Sequence, residues 1–223
     1  MSGREASGDH LEGAQTAAAS VAAVTTMHPG TLHDLPGAYR VCLLTGASGG
    51  DASTLHDDPD LLGHLWAGAY LTFPDAVTRV LHDDRGVAGY CLAVPDTAAF
   101  EQWVDHEWLP PLRERYPLGS GRTAADRAAV ERLHRPTRTD AGLLTTYPAH
   151  LHVDLLPRLQ GQGWGRRVVQ ATLEALTAAG ARGVHLGVDE ANTGAHAFYD
   201  RLGLTVLDGP PGARWYGRTL GPT

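Results

Sequence analysis

The sequence predicts an α/β layered domain, on three observations. Short apolar runs of strand character alternate along the chain with longer amphipathic stretches of helical period. Turn and cap signals fall at the boundaries between them, such as Asp83-Asp84-Arg85-Gly86 and Gly180. The composition can also supply a core: of 223 residues, 43% are hydrophobic and 19% charged. No internal repeat is visible.

Residues 1–36 read as a flexible tail, because they hold no aromatic residue and few branched apolar ones. Met27 is a second candidate start. Residues 37–223 read as one domain. "AYRVCLL" is the first expected strand. "DPDLLGHLWAGAYLTF" is expected to be helical, with Asp57 or Asp58 as its cap. "AVTRVLHDDRGVAGYCLAV" reads as two strands and a tight turn. A helical segment over 95–135 follows. Phe100, Trp103, Val104 and Trp108 recur at helical spacing behind an Asp96 or Thr97 cap, Pro110-Pro111 breaks or kinks the helix, and "TAADRAAVERLH" forms another. "HLHVDLL" alternates as a strand. Gly165 to Ala179 is amphipathic, with Val168, Val169, Thr172, Leu173 and Leu176 on one stripe. "GVHLGV" is a strand, "NTGAHAFYDRLG" a helix capped by Asn192, and "LTVL" and "ARWYGRTL" a closing pair of strands.

Net charge is −7, which argues against general nucleic-acid binding. No apolar run reaches the length of a membrane helix. Glu5, Asp9 and Glu12 precede an Ala-rich patch, unlike a secretory leader, so the cytoplasm is the expected compartment. Cys42 and Cys91 sit in apolar runs and read as buried reduced thiols.

Two motifs suggest hydrolases. His150, His152 and Asp154 alternate as H-x-H-x-D, but strand positions two apart lie nearly 7 Å apart, at about 3.3 Å per residue, too far to converge on one zinc. His33, His56, His82 and His185 show no partnered spacing, so no metal site is expected. "GASGG" matches G-x-S-x-G around Ser48, yet polar loop rather than helix follows it.

"QGQGWGRR", residues 160–167, follows a strand and opens an amphipathic helix. Helix N-terminal N–H groups lack internal partners and carry partial positive charge, and glycines let backbone approach an anion. Arg166 and Arg167 in the first turn oppose the helix dipole unless a polyanion compensates. The glycine spacing departs from the dinucleotide fingerprint, and the G-K-[ST] of a Walker loop is absent.

The pattern Gln160-x-x-Gly163-x-Gly165 resembles the acyl-CoA pyrophosphate loop of the GCN5-related N-acetyltransferases. Asn192, Ala195, Phe198, Tyr199, Leu202 and Gly203 resemble that family's second signature. Residues 38–220 further resemble the acetyltransferase-like C-terminal domain of animal O-GlcNAcase and its free-standing bacterial relatives. That subgroup carries a helical insertion between the third and fourth strands, and its animal member is a pseudo-acetyltransferase with a decayed loop. Here the loop is intact.

The resemblance implies a mixed, twisted sheet of about seven strands flanked by helices. It implies transfer of acetyl from acetyl-CoA to a primary amine by direct attack, with binding of acyl-CoA without catalysis as the alternative. It places the cosubstrate on Gln160, Gly161, Gln162, Gly163, Trp164, Gly165 and Arg166, on strand-four backbone at Asp154, Leu155 and Leu156, and on Asn192 and Tyr199. Tyr199 would protonate or hydrogen-bond the leaving thiolate. Full transfer from an unperturbed tyrosine is uphill by roughly 2 kcal/mol. Asp154, then His152, is the expected base for the amine. Trp103, Trp108 and Tyr116 in the insertion read as core, and Glu101, Asp105 and Glu107 as a rim attracting a cationic acceptor. The acceptor's identity and the choice between monomer and homodimer are left open.

Overall fold

The computed structural model describes residues 24–221. The chain starts with strand β1 (Thr26–His28) and a 3-10 turn (Leu32–Asp34), then helices α1 (Leu35–Thr45), α2 (Leu61–Trp66) and α3 (Gly68–Thr72). The hairpin β2 (Val77–Asp83) and β3 (Gly86–Val94) follows. Next come α4 (Thr97–Trp103), a π-helical turn (Val104–Trp108), α5 (Leu109–Arg115), α6 (Ala124–His134) and α7 (Ala141–Thr146). Then come β4 (Ala149–Leu155), a 3-10 turn (Pro157–Leu159), α8 (Trp164–Ala178), β5 (Gly183–Asp189), α9 (Thr193–Arg201), β6 (Thr205–Leu207) and β7 (Ala213–Thr219).

The strands form one seven-stranded sheet in the order β1-β2-β3-β4-β5-β7-β6. All neighbours are antiparallel except β4 and β5, as expected of a mixed sheet. Side-chain alternation divides the core. On one face Cys91, Ala93, Leu151 and Leu186 pack under α8 and α9, through Val168, Val169, Leu173, Leu176 and Tyr199. On the other, Val80, Tyr90, Leu92 and Val94 pack under α1 and α3, through Ala38, Val41, Cys42 and Tyr70. A third cluster, with Leu61, Leu112, Val130 and Leu133, fastens the segment between β3 and β4 onto α2.

Three sequence expectations change. "AYRVCLL" is helix, not strand. Ala38, Val41, Cys42 and Thr45 are its buried residues, at helical spacing, and Pro36 fits the first turn. A short apolar run does not distinguish the two periods. The outer strand is instead Thr26–His28, inside the span read as tail; residues 1–23 lie outside the described residues. The helical segment between β3 and β4 also runs past 135 to include α7, which Asp140 caps through the Leu143 N–H at 3.1 Å.

Smaller adjustments follow local bonding. Asp60 rather than Asp57 or Asp58 stands at the α2 N-cap. Asp96 caps α4 and Asn192 caps α9 as expected, accepting from the N–H groups of Ala99 and Ala195. Pro110 and Pro111 sit in the first turn of α5, where missing N–H donors cost little, and the preceding turn widens to π geometry. Cys42 and Cys91 are buried and unbridged. No helix among the described residues is long and apolar enough to cross a membrane.

Candidate functional site

The parallel pair β4 and β5 is joined only at Ala149–Val184 and His150–His185, although β4 runs on to Leu155 and β5 to Asp189. Beyond that point the strands part and leave a gap within the sheet. Backbone direction in β4 follows from its register with β3. The Leu156 N–H donates to Ala88 O at 2.9 Å, so alternation turns the N–H groups of Asp154 and His152 toward β3 as well. Val153 and Leu155 therefore present their N–H groups to the gap. Of the three backbone positions expected to hold the cosubstrate, only Leu155 faces it. Asp154 and Leu156 point their N–H groups the other way.

The glycine-rich loop lies at the gap's mouth. Gly161 and Gly163 have φ of +71° and +81°, and an added Cβ at either meets nothing within 4 Å. Backbone is thus bare on the side where a ligand would approach. The Arg167 N–H, bonded to Gly163 O at 3.1 Å, belongs to the residue after the first turn, so the N–H groups of Trp164, Gly165 and Arg166 precede the first helical bond of α8. Gly165 lets α9 pack close, since its Cβ would stand 3.2 Å from the Phe198 ring. Gln160 donates to Leu155 O at 2.8 Å and Gln162 to Arg158 O at 2.6 Å, so both side chains brace the loop. Arg166 and Arg167 are exposed and pair with no carboxylate among the described residues; the Arg167 guanidinium lies 5.0 Å from the Trp164 ring centre.

On the α1 side of β4, four polar groups meet. Tyr90, fully buried, donates its hydroxyl to Asp154 Oδ2 at 2.7 Å and contacts Cys42 Sγ at 2.9 Å. His152 Nε2 is 2.9 Å from that same Asp154 oxygen. Burial, then the Asp154 charge, pushes the Tyr90 pKa well above 10, so the phenol keeps its proton and acts as donor. A charge-assisted bond of this kind contributes about 1.5–3 kcal/mol. With the carboxylate ionised, His152 Nε2 carries the proton shared with it, which leaves Nδ1 as a lone-pair acceptor. Trp66 stacks on the His152 ring at 5.9 Å, and Arg132 lies over Trp66.

His150 does not join this group. Its Nε2 bonds Tyr70 Oη at 2.6 Å and its Nδ1 bonds Thr97 Oγ1 at 2.8 Å. The Thr97 hydroxyl donates to Pro148 O, so His150 Nδ1 donates to Thr97 and Nε2 accepts from Tyr70. Burial, reinforced by His185 and His152, depresses the His150 pKa to about 3. The H-x-H-x-D alternation thus divides: His150 is engaged by Tyr70 and Thr97, while His152 and Asp154 bond each other.

Tyr199 lies on α9, buried between the Phe198 and Tyr216 rings. Burial, then Cys91, Asp154 and Tyr216, pushes its pKa well above 10, which disfavours the phenolate. The Asn192 side chain accepts from Ala195 N–H, and its Nδ2 would stand 3.2 Å from a Cβ added at Gly49. Ser48 Oγ donates to Asp189 Oδ2 at 3.1 Å, so the loop after α1 reaches across to the end of β5. Ser48 has a carboxylate partner and no histidine, and its φ of 51° reflects a tight turn between Ala47 and Gly50. Leu44, Gly49–Asp51 and Leu156–Arg158 line a cavity beneath this loop.

The insertion's aromatic residues are packing groups. Trp108 donates to His64 O at 3.0 Å and stacks near Trp103, while Tyr116 is buried against α6. The expected acidic rim is largely neutralised: Glu101 accepts from Thr139 and pairs with Arg138, and Asp105 pairs with Arg138 and Arg113. Sequence reasoning missed Tyr90 and Cys42, which interleave with apolar residues and carry no spacing signal.

The description "Acetyltransferase (GNAT) family" matches residues 141–204. The crystal structure of SsHAT is similar at 35% identity and a TM-score of 0.80, over 89% of this chain and 99% of that one. Protein O-GlcNAcase of Rattus norvegicus is 24% identical over 84% of this chain, and the chain spans about a fifth (21%) of that relative's length. The folds of a GCN5-related N-acetyltransferase from Kribbella flavida (17% identity, TM-score 0.53, 88% of this chain and 98% of that one) and of yncA from Salmonella typhimurium with its cofactor acetyl-CoA (15% identity, TM-score 0.51, 89% of this chain and 95% of that one) are also similar.

Proposed function

Because the chain belongs to the GNAT acetyltransferase family, we propose that it transfers an acetyl group from acetyl-CoA to a primary amine of a small molecule or protein. The observation that carries this reading is the parted β4–β5 pair with a bare glycine loop at its mouth. A thin thioester arm fits a gap between strands, and a pyrophosphate fits the N-terminus of α8 with Arg166 and Arg167 beside it.

The residues then divide the chemistry. The Gly161–Gly165 backbone and both arginines hold the phosphates, and Gln160 and Gln162 keep the loop in place. The Val153 and Leu155 N–H groups bond the arm, and one of them polarises the thioester carbonyl. The amine nitrogen attacks the carbonyl carbon, the C–S bond breaks and thiolate leaves. An alkylammonium sheds one proton to solvent before it can attack, and His152 Nδ1 takes the second as the C–N bond forms, while Asp154 holds the ring through Nε2 and stabilises the imidazolium until it returns that proton to solvent. This reverses the order read from sequence, where Asp154 came first: its Oδ2 is already committed to Tyr90 and His152. Tyr199 gives the leaving sulfur a hydrogen bond. Its raised pKa disfavours full proton transfer.

The test is calorimetry with acetyl-CoA, followed by free-thiol release across alkyl amines, lysine peptides and amino sugars. Binding with amine-dependent thiol release supports the proposal. Binding without release from any amine supports the acyl-CoA-binding alternative, and no binding overturns both.

A further inference from the structure

The side chains of His28, Asp34 and His82 converge at the sheet edge opposite β6. Each offers one ligand atom, and the three atoms lie within 4.8 Å of one another. The pairing of β1 with β2 brings His28 beside His82, whose rings are 4.7 Å apart, and the turn before α1 delivers Asp34. β2 and β3 separate the cluster from β4, so it stands apart from the acetyl-transfer site.

We propose that His28, Asp34 and His82 bind a divalent transition metal of the zinc class, fastening β1 to the sheet and to the start of α1. Three features carry this. The donor set, two imidazoles and a carboxylate, suits zinc or cobalt rather than calcium or magnesium. Ligand atoms around a tetrahedral zinc stand about 3.4 Å apart, so small side-chain rotations close the site. The supporting bonds are those a metal site needs. Asp34, nearly buried, has Oδ2 held by the Thr31 N–H at 2.8 Å and hydroxyl at 2.9 Å, which leaves Oδ1 toward the histidines. His28 Nδ1 bonds Pro29 O at 2.9 Å, so the proton resides there and Nε2 keeps its lone pair.

His82 Nε2 now pairs with Asp34 Oδ1 at 2.8 Å. On binding, the metal replaces the proton between them. Bonds form from the metal to His82 Nε2, Asp34 Oδ1 and His28, and any proton displaced from Nε2 leaves to solvent. The His82 side chain is 32% exposed, so the fourth position opens to water.

The experiment uses the full chain without an affinity tag, stripped by chelator and titrated with zinc chloride by calorimetry. Cobalt chloride provides a second, spectroscopic reading. One equivalent of zinc is expected, with d–d absorption of low-symmetry cobalt and a zinc-dependent rise in Tm. His28→Ala and His82→Gln are each expected to weaken zinc at least about tenfold and to abolish the Tm rise, with acetyl transfer unchanged. The glutamine keeps a hydrogen bond to Asp34, so it separates loss of ligation from loss of the pair. A wild-type chain that takes up no zinc at micromolar concentration overturns the proposal. So does zinc binding that survives both substitutions, which would locate it on others of the twelve histidines.

Discussion

Replacing His150 with glutamine should flatten the pH dependence of stability. In the fold this imidazole is neutral, with a pKa of about 3 against an ordinary 6.5. The sign follows from proton uptake. Below pH 6.5 the unfolded chain protonates His150 and the folded chain does not, so stability falls as pH falls, down to about 3. Each unit is about 1.4 kcal/mol, so between pH 7 and pH 5 this residue removes about 2 kcal/mol. His150 retains a minor share of its surface, but Tyr70 and Thr97 engage both charge-bearing nitrogens, so 2 kcal/mol is an upper value. His64 and His185 are also depressed by burial and act in the same direction, but they are present in both proteins and cancel in the comparison. Asp34, Asp83 and Asp126, whose pKa values are lowered, lose their stabilising effect only below the window, as pH falls under 3.8. Urea unfolding of wild type and His150→Gln at pH 7 and pH 5 measures the difference. The variant should lose up to about 2 kcal/mol less than wild type over that interval. Parallel losses in the two proteins would refute the assignment of a neutral, enclosed imidazole.

Other expectations concern the cosubstrate and the base. Gly163→Val forces a β-branched residue into φ of +81° and puts atoms into the open side of the loop, so acetyl-CoA affinity measured by calorimetry should fall more than tenfold. The fold should lose about 1–3 kcal/mol. His152→Gln should lower kcat by about 10²-fold or more with little change in KM for acetyl-CoA. Asp154→Asn should lower it less, because the imidazole remains; equal kcat for wild type and His152→Gln would remove the base assignment. Tyr199→Phe should slow thiol release in single-turnover kinetics while leaving acetyl-CoA binding unchanged, and an unchanged rate would restrict Tyr199 to packing.

Much of the layering was legible because it rests on periodicity. Val168, Val169, Thr172, Leu173 and Leu176 announce α8, and the alternation in "HLHVDLL" announces β4; both occupy the expected faces. The glycine loop was legible because glycines and a following helix lie together in the chain. "AYRVCLL" was misread because seven apolar-rich residues satisfy either period, and packing against Leu62 and Tyr90 decides for helix. The Tyr90–Cys42–Asp154–His152 cluster was half visible: the two β4 members show in the alternation, but their partners come from β3 and α1. The cluster at His28, Asp34 and His82 was invisible for the same reason, since β-pairing across the chain assembles it.

The parting of β4 from β5 also works as a sieve. Exposed strand edges at the margin of a sheet invite a second polypeptide to add on. The free N–H groups of Val153 and Leu155 lie between two halves of one sheet, with α8 below and the loop after α1 above. A peptide strand would have to seat side chains on both faces of the sheet, where α8 and α1 already pack. What remains admissible is a slender unbranched chain, so the same opening that leaves backbone unpaired guards it against aggregation and sorts its guests by cross-section.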